Sequence, residues 1–527
     1  MPPFLRNILK HPNAPVLLLI VFNLLIGAFT FRDYGLTLDE PLYYKYADAL
    51  GYAYSPREWF SGNFDLDNAY GPSETDHQNR GPAYLLLARM PARFLQSALG
   101  LDYPSAWHLI NFIFFQIGVY FFFVFSRRWM RSWAAFAATL FFATQPLLWG
   151  HAFINPKDPP FLVAFLISLE LGFRMADRIA NPQANEKAWT TFTHILFPAV
   201  VLGFATNLRI LGPLAGLLAF VYFLFLRKPA RFYWFILYGL IALATLFATW
   251  PFLWQAPVQN LFGVLRYFSD NPTELRVLFL GEIYTADQLP LRYLPTLLAI
   301  TLTEPVWPLA ITGFFISIRR LQLKAIEWRT LLPTLLWFII PIVYVFIRRP
   351  AMYDGFRHSL YILPPVFVLA GIALDAIFAR VSVSYIKIAL IGLLILPAAW
   401  ADIELHPYQY TYYNQFVGGT NKASYSFETD YWGTCFKEAM EKFNSTPFKN
   451  VTIYVGAKSV NIATYYASDR IKVKIYERQT YINYGKYVAS SVRANKALQV
   501  FRNRQDKNTI TVQRDHAIFC AIWMAEP

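Results

Sequence analysis

Long apolar runs separated by short basic loops dominate this chain. Against the roughly 17 to 25 mostly apolar residues that a spanning helix needs, eleven segments stand out: 14–31, 105–125, 134–149, 160–175, 192–206, 211–226, 232–250, 296–318, 331–347, 360–379 and 386–400. Two of the intervening stretches, 31–104 and 251–295, are too long for connectors and too rich in aromatic and apolar residues for disorder. The first carries amphipathic helical patterns at 41–53 and 81–99, which predict helices lying in the plane of the membrane interface. Beyond Trp400 the pattern changes to strand-like alternation. Asn450-Val-Thr-Ile-Tyr-Val-Gly456, Ile471-Lys-Val-Lys-Ile-Tyr476 and Thr509-Ile-Thr-Val-Gln513 read as strands, with a helix at 436–443. The expected fold class is therefore mainly α: a polytopic transmembrane helical bundle of about eleven spans over 1–400, followed by a small α/β domain over 401–527.

Composition agrees with that class. Of 527 residues, 56% are hydrophobic and 15% charged, too apolar for a soluble protein. Trp149, Trp250, Trp254 and Trp400 end apolar runs, where amphipathic rings settle at headgroup level. The net charge of +14 invites a nucleic-acid partner. Its distribution excludes one. The basic residues recur in alternate loops: Arg127, Arg128 and Arg131; Arg174, Arg178 and Lys187; Arg227, Lys228 and Arg231; Arg319, Arg320, Lys324 and Arg329; then Arg380. That recurrence marks cytoplasmic loops and a plasma (inner) membrane topology with the amino terminus inside. Arg6, Lys10 and His11 precede the first run, and Asp39-Glu40-Pro41 follows it in place of a small-residue cleavage site, so the run reads as a retained signal anchor. An odd number of spans puts residues 401–527 outside, beside both long loops. Cys435 and Cys520 both fall there, either as a disulfide or as two buried thiols. Asn444-Ser-Thr and Asn450-Val-Thr match the glycosylation sequon, which matters only in a eukaryotic secretory pathway.

The polar residues that carry chemistry gather on the same side. Asp39 and Glu40 lie in Tyr34-Gly-Leu-Thr-Leu-Asp-Glu-Pro41, and Asp158 lies in His151-Ala-Phe-Ile-Asn-Pro-Lys-Asp-Pro-Pro160. Each also fits a plain helix start, an acidic cap before proline. Cations accompany both: Lys157 beside Asp158, Arg209 in Asn207-Leu-Arg-Ile-Leu-Gly212, and Arg348, Arg349, Arg357 and His358 beyond the ninth run. Arg348 and Arg349 suit headgroup anchors. Arg209 and Arg357 run against the topology bias and suit a phosphate. In Asp76-His-Gln-Asn-Arg-Gly-Pro-Ala-Tyr84, Arg80 is the phosphate candidate, since His77 lacks a second ligand at metal spacing. A divalent cation beside Asp39 and Glu40 stays open, with too few ligands in the sequence to define a site.

In this order and topology the motifs resemble the C-type, polyprenol-dependent glycosyltransferases, the branch with aminoarabinose transferases and protein O-mannosyltransferases. The resemblance runs nearly full length, through Leu38-Asp-Glu-Pro41, Ile154-Asn-Pro-Lys-Asp-Pro-Pro160, Gly203-Phe-Ala-Thr-Asn-Leu-Arg-Ile-Leu-Gly212, Leu291-Arg-Tyr-Leu-Pro295 and Tyr353-Asp-Gly-Phe-Arg-His-Ser-Leu-Tyr-Ile-Leu-Pro-Pro365. It implies inverting transfer of a sugar from a polyprenyl-phosphate donor to an acceptor hydroxyl of a lipid, glycan or protein, on the extracytoplasmic face. Asp39 would be the base, with Glu40 and Asp158 in the same cavity. Arg80, Lys157, Arg209, Arg292, Arg357 and His358 would meet the donor phosphate. The chain departs from the family in its first loop, where Asn79-Arg-Gly-Pro82 replaces a Lys or His-Pro-Pro pattern. His406-Pro-Tyr-Gln-Tyr-Thr-Tyr-Tyr-Asn414 with Asp430-Tyr-Trp-Gly433 looks like a bacterial subset with a soluble tail. The rival reading is a transporter or flippase, which would place charge near the midplane and show internal repeats; neither pattern is found.

Overall fold

The computed structural model describes residues 12–71, 75–182, 187–270, 273–448, 450–476, 486–493 and 509–524. Arg6, Lys10 and His11, and the side chain of Asp76, lie outside the described residues.

Every expected apolar segment forms a helix or a pair of helices. In chain order these are α1 (Ala14–Thr30), α2 (Glu40–Ala53), α3 (Ala83–Leu99), α4 (Tyr103–Ser126), α5 (Ser132–Ala143), α6 (Pro146–Ile154), α7 (Asp158–Ala180), α8 (Ala188–Leu208), α9 (Pro213–Phe225), α10 (Tyr233–Ala248), α11 (Pro257–Asp270), α12 (Tyr293–Ile300), α13 (Val306–Gln322), α14 (Trp328–Arg348), α15 (Pro364–Arg380) and α16 (Ser384–Glu404). Proline opens α6, α7, α9 and α15, where its missing N–H removes no helical bond. Among the described residues, six helices are long and apolar enough to cross a membrane: α4, α7, α8, α14, α16 and Pro229–Ala248. The protein is a polytopic membrane bundle. Its centre is α7, whose apolar window is 89% buried against 17% for the peripheral α16.

Two expected spans break. Segment 134–149 divides into α5 and α6 at Gln145, and 296–318 divides into α12 and α13 across 301–305. The breaks face one another, and their freed groups pair. Gln145 Nε2 donates to Phe141 O and Thr303 Oγ1, both at 3.0 Å, and Thr303 N donates to Gln145 Oε1 at 3.1 Å. A broken ladder inside a bundle survives only with such satisfaction. The tenth segment likewise starts later than expected, because a 3₁₀ turn, Arg357–Ile362, precedes α15.

The long loops divide their roles. α2 buries Tyr43, Tyr44, Tyr46, Ala47 and Leu50, whereas α3 leaves Leu87, Met90 and Phe94 exposed, as an interfacial helix does. The second loop adds a short antiparallel hairpin, β1 (Arg276–Phe279) and β2 (Glu282–Thr285), absent from the sequence expectation. Of the four tryptophans assigned to a headgroup belt, Trp400 is exposed, but Trp149 and Trp250 are buried in protein, with Trp250 Nε1 donating to Gln78 O at 2.9 Å.

The tail forms a five-stranded sheet of order β4-β3-β5-β7-β6: β3 (Val451–Gly456), β4 (Ile471–Tyr476), β5 (Tyr487–Ser491), β6 (Ile510–Arg514) and β7 (Ala517–Met524). β3 pairs in parallel with β4 and β5, and β7 runs antiparallel to β5 and β6. α17 (Phe436–Asn444) packs on it. Cys435 and Cys520 form a disulfide. Between bundle and sheet, residues 405–435 wedge onto the helix ends. A Cβ on Gly150 would sit 2.4 Å from Tyr410 N, so only glycine lets the two backbones meet. Asn414 Nδ2 caps the end of α12, donating to Ala299 O at 2.9 Å and Leu302 O at 3.0 Å.

α13 and α15 also meet through a glycine. A Cβ on Gly313 would lie 1.8 Å from Leu369 O. Gly313→Ala should therefore destabilise the bundle, because overpacking costs about 1–3 kcal/mol and outweighs the roughly 1 kcal/mol gain in helix propensity. The check is the thermal midpoint of the purified protein in detergent, which should fall by several degrees.

Candidate active site

The site is organised by one side chain. Arg357 is 7% exposed and touches three carboxylates from three segments: Asp354 Oδ2 at 2.8 Å, Asp158 Oδ2 at 3.4 Å and Asp39 Oδ2 at 4.0 Å. Local geometry prepares this. Asp354 and Gly355 both take positive φ (56° and 65°), a turn that Asp and Gly tolerate, and it brings Asp354 and Arg357 face to face. The rings of Trp432 and Tyr353 lie 5.1 and 5.3 Å from the guanidinium. Burial works against the charge of Arg357, but Asp354, Tyr353 and Asp39 hold its pKa above the ordinary arginine value.

Neither aspartate acts as a helix cap. Asp39 stands at the N-cap of α2 yet makes no side-chain capping bond. Asp158 is already inside the first turn of α7, and Asn155 Oδ1 takes the backbone N–H of Lys157 at 3.0 Å and Asp158 at 2.9 Å. Asp158 is instead saturated, by Asn155 Nδ2 at 2.8 Å, by Arg209 and by Arg357. Side-chain exposure separates the acids: 2% for Asp158, 4% for Asp354 and 44% for Asp39. Only Asp39 of these three has open space for a reactant.

The cations converge from separate loops. Arg209 follows α8, with its Nη2 on Asp158; burial first, then neighbouring Arg357, lowers its pKa to about 10, so it stays protonated. Arg80 Nη1 donates to Tyr43 Oη at 3.0 Å. Its loop is pinned where Gly81 lies against Asn207, a Cβ there meeting Asn207 O at 1.6 Å, and Ala83 N donates to Asn207 Oδ1 at 2.8 Å. Tyr43, Arg80, Tyr84, Pro156, Lys157 and Leu208 line one narrow cleft. His358 lies within the field of this whole group. Burial first, then Arg357, Arg209, Lys157 and Arg80, push its pKa well below the usual histidine range, which leaves it neutral.

Two expected members stand apart. Glu40 is completely buried and spends its carboxylate on Thr37 N at 2.7 Å, Tyr44 Oη at 2.7 Å and His108 Nε2 at 3.1 Å. It therefore anchors the start of α2 and does not share Asp39's opening. Arg292 is exposed at the N-cap of α12, beside Tyr284 of the hairpin. The Glu40 carboxylate, expected beside a divalent cation, is already taken up by protein partners. Among the described residues one group has metal-ligand spacing, Asp430 with Cys435 and Cys520. Its sulfurs are joined to each other, and Asp430 accepts from Tyr410 Oη and from the N–H groups of Thr434 and Cys435.

Four contributors escaped sequence reasoning. Asp354 and Tyr353 were inside a quoted motif, where Asp-Gly is a turn signal. Trp432 and Arg493 come from the tail, where no spacing points to the membrane domain. Arg493 bonds Asp354 Oδ1 and, through Nη1, Tyr431 O at 2.9 Å. Beyond the cluster, an apolar groove of about 400 Å³ runs between α8, α9 and α10, lined by Leu202, Thr206, Pro213, Gly216, Tyr238 and Leu246 among others. Thr206 and Pro213 bracket the loop that carries Arg209.

The sequence matches no protein-family model and no curated protein sequence. Comparison with solved structures does find matches. The apo oligosaccharyltransferase of Archaeoglobus fulgidus superposes with a TM-score of 0.52 over 90% of this chain and 69% of that chain, at 14% identity. The two share a fold. ArnT from Cupriavidus metallidurans bound to undecaprenyl phosphate matches at TM-score 0.49 and 14% identity, over 96% of this chain and 97% of that one. The Archaeoglobus fulgidus oligosaccharyltransferase AglB with an inhibitory peptide and a dolichol-phosphate gives 0.49 and 14%, over 86% and 64%. The resemblance read from the loop motifs is thus accompanied by a fold shared with that oligosaccharyltransferase.

Behind Asp354 lies Glu428, 6% exposed, its carboxylate facing the backbone N–H groups of Asp354 and Leu278. Burial pushes its pKa up from 4.5 to about 8, with Arg493 opposing and Asp354 adding to the push. The native state therefore holds a proton that the unfolded chain loses first, so this group's contribution is best below pH 4.5 and declines until pH 8. Glu428→Gln should stabilise the protein relative to the parent by roughly 3 kcal/mol at pH 7. Thermal unfolding at pH 5 and pH 8 checks this. Parallel pH profiles for variant and parent would refute it.

Proposed function

We propose that the chain is an integral membrane glycosyltransferase that moves a sugar, with inversion, from a polyprenyl-phosphate donor to an acceptor hydroxyl at the extracytoplasmic face. The observation that carries this reading is an apolar groove whose lining residues Thr206 and Pro213 flank the loop of Arg209, a member of the guanidinium cluster. A polyprenyl chain suits the first and its phosphate the second, and Arg209 stands in the loop between them. Around the opening gather Arg80, Lys157, Arg209 and Arg357, cations suited to an anionic leaving group.

In this mechanism Asp39 accepts the proton of the acceptor hydroxyl as its oxygen attacks the anomeric carbon. The bond from that carbon to the phosphate oxygen breaks, and polyprenyl phosphate departs as an anion. Asp158 and Asp354, held by guanidinium groups, orient Arg209 and Arg357. No second acid is needed, because the cations stabilise the departing charge directly. The shared fold with an oligosaccharyltransferase supports transfer chemistry over transport. The helix breaks at Gln145 and Thr303 are of the kind transporters use, but here they are closed on each other and capped by Asn414. The basic clusters of the other loops meet acids at the opposite helix ends, Arg128 and Arg174 on Glu170 and Arg131 and Arg320 on Asp375, which agrees with a cytoplasmic face there.

Asp39→Asn should lower transfer of radiolabelled sugar from a polyprenyl-phosphate donor by about 10² to 10⁴, the usual share of a positioned base, with unchanged expression and thermal midpoint. Normal turnover by the purified variant would rule out Asp39 as the base. Movement of a solute across vesicles without sugar transfer would rule out the enzyme.

A further inference from the structure

The tail does more than cover the bundle. Its strand β5 ends at Ser491, paired with Cys520, and Val492 N donates to Phe519 O at 2.9 Å, which fixes the direction of the next residue, Arg493. That side chain reaches out of the sheet to the buried Asp354 carboxylate, which thus lies between two guanidinium groups: Arg493 on Oδ1 and Arg357 on Oδ2. The same sheet reaches Arg357 a second way. The disulfide from Cys520 to Cys435 holds the loop whose Trp432 ring covers the Arg357 guanidinium at 5.1 Å.

We propose that Arg493 is a positioning residue for the donor-phosphate site, holding one oxygen of Asp354 so that Arg357 stays turned toward Asp158 and Asp39. This rests on the reading of the cluster as a polyprenyl-phosphate site. The contacts of Arg357 compete with one another. Asp158 at 3.4 Å and Asp39 at 4.0 Å are the long contacts of Arg357, and Asp354 at 2.8 Å is the short one. With Arg493 present, Asp354 offers Arg357 a single oxygen. Without it, a buried oxygen loses its partner, and the fork geometry of carboxylate and guanidinium favours a bidentate Asp354–Arg357 pair. That pair withdraws Arg357 from the opening and neutralises it. Of the other acids that act on Arg493, Glu428 is protonated at pH 7, and Asp39 lies 4.0 Å from the Arg357 Nη2 that Asp354 holds.

The test uses the purified full-length chain in detergent with undecaprenyl phosphate, without sugar, as the probe, and reads Kd by native mass spectrometry. Saturable binding by the parent is required by the functional reading, and its absence would overturn that reading itself. Given parent binding, Arg493→Gln should weaken it by about tenfold, the loss of one charged hydrogen bond's worth of positioning. Arg493→Lys should recover part of the loss. Because Arg493 acts through Asp354, the Arg493→Gln/Asp354→Asn double variant should bind no worse than Asp354→Asn alone. A merely structural role would lower the thermal midpoint without this coupling. Unchanged Kd in Arg493→Gln, or additive losses in the double variant, would overturn the proposal. If Arg493→Gln does not fold, Arg493→Lys with Asp354→Asn runs the same cycle and is read the same way.

Discussion

A buried arginine shared by several carboxylates is the constraint around which the site is arranged. Arg357 has little access to water, and the acids around it offset the cost of burying its charge, while the buried Asp158 and Asp354 are each held by guanidinium groups. That mutual dependence fixes distances that no single loop would hold. The first loop brings Asp39, the first turn of α7 brings Asp158, and the segment before α15 brings Asp354 and Arg357 together. Moving any of these backbones leaves a charge without a partner in a low-dielectric place, which is expensive enough to keep the segments in register.

The supporting layer keeps those backbones still by satisfying their polar groups elsewhere. Glu40, with Thr37, Tyr44 and His108, ties down the turn next to Asp39, so the neighbouring carboxylate needs no capping role. Asn155 does the same before α7, and Asn207 does it for the loop of Arg80. Glycines contribute through what they lack. Gly81 and Gly150 let strands of backbone approach where a methyl group would collide, and both contacts join segments far apart in the chain. The tail then closes the assembly from outside, with the backbone of Leu38 donating to Trp432 O at 3.1 Å immediately before Asp39.

Much of this was legible along the chain. Helices follow the apolar runs because a hydrocarbon environment permits no other open segment, and the loop motifs already held Asp39, Asp158, Arg80, Arg209 and Arg357. What was misread has identifiable causes. The runs at 134–149 and 296–318 look continuous because the polar stretches Thr144-Gln145 and Thr303-Glu304 are short within apolar surroundings, and the bonding of Gln145 with Thr303 is invisible without the partner helix. Glu40 shares a dipeptide with Asp39, yet the helical rotation between neighbours sends one side chain into the core and leaves the other at the opening. Trp149 and Trp250 imitate belt residues because protein, not headgroup, happens to cover them.

By itself, the sequence determined the class of solvent for each segment, hence the helical bundle, the alternating basic ends and the strand-forming tail, since these depend on local composition and period. Only the tertiary structure decided which charged groups meet. Arg357 and Asp158 are separated by 199 residues and Arg493 and Asp354 by 139, and pairing across such distances depends on how helices and sheet pack, a property to which neighbouring residues give no clue. The same packing selects Asp39 as the accessible acid. Chemical type made three aspartates equivalent, and burial left only Asp39 of them exposed.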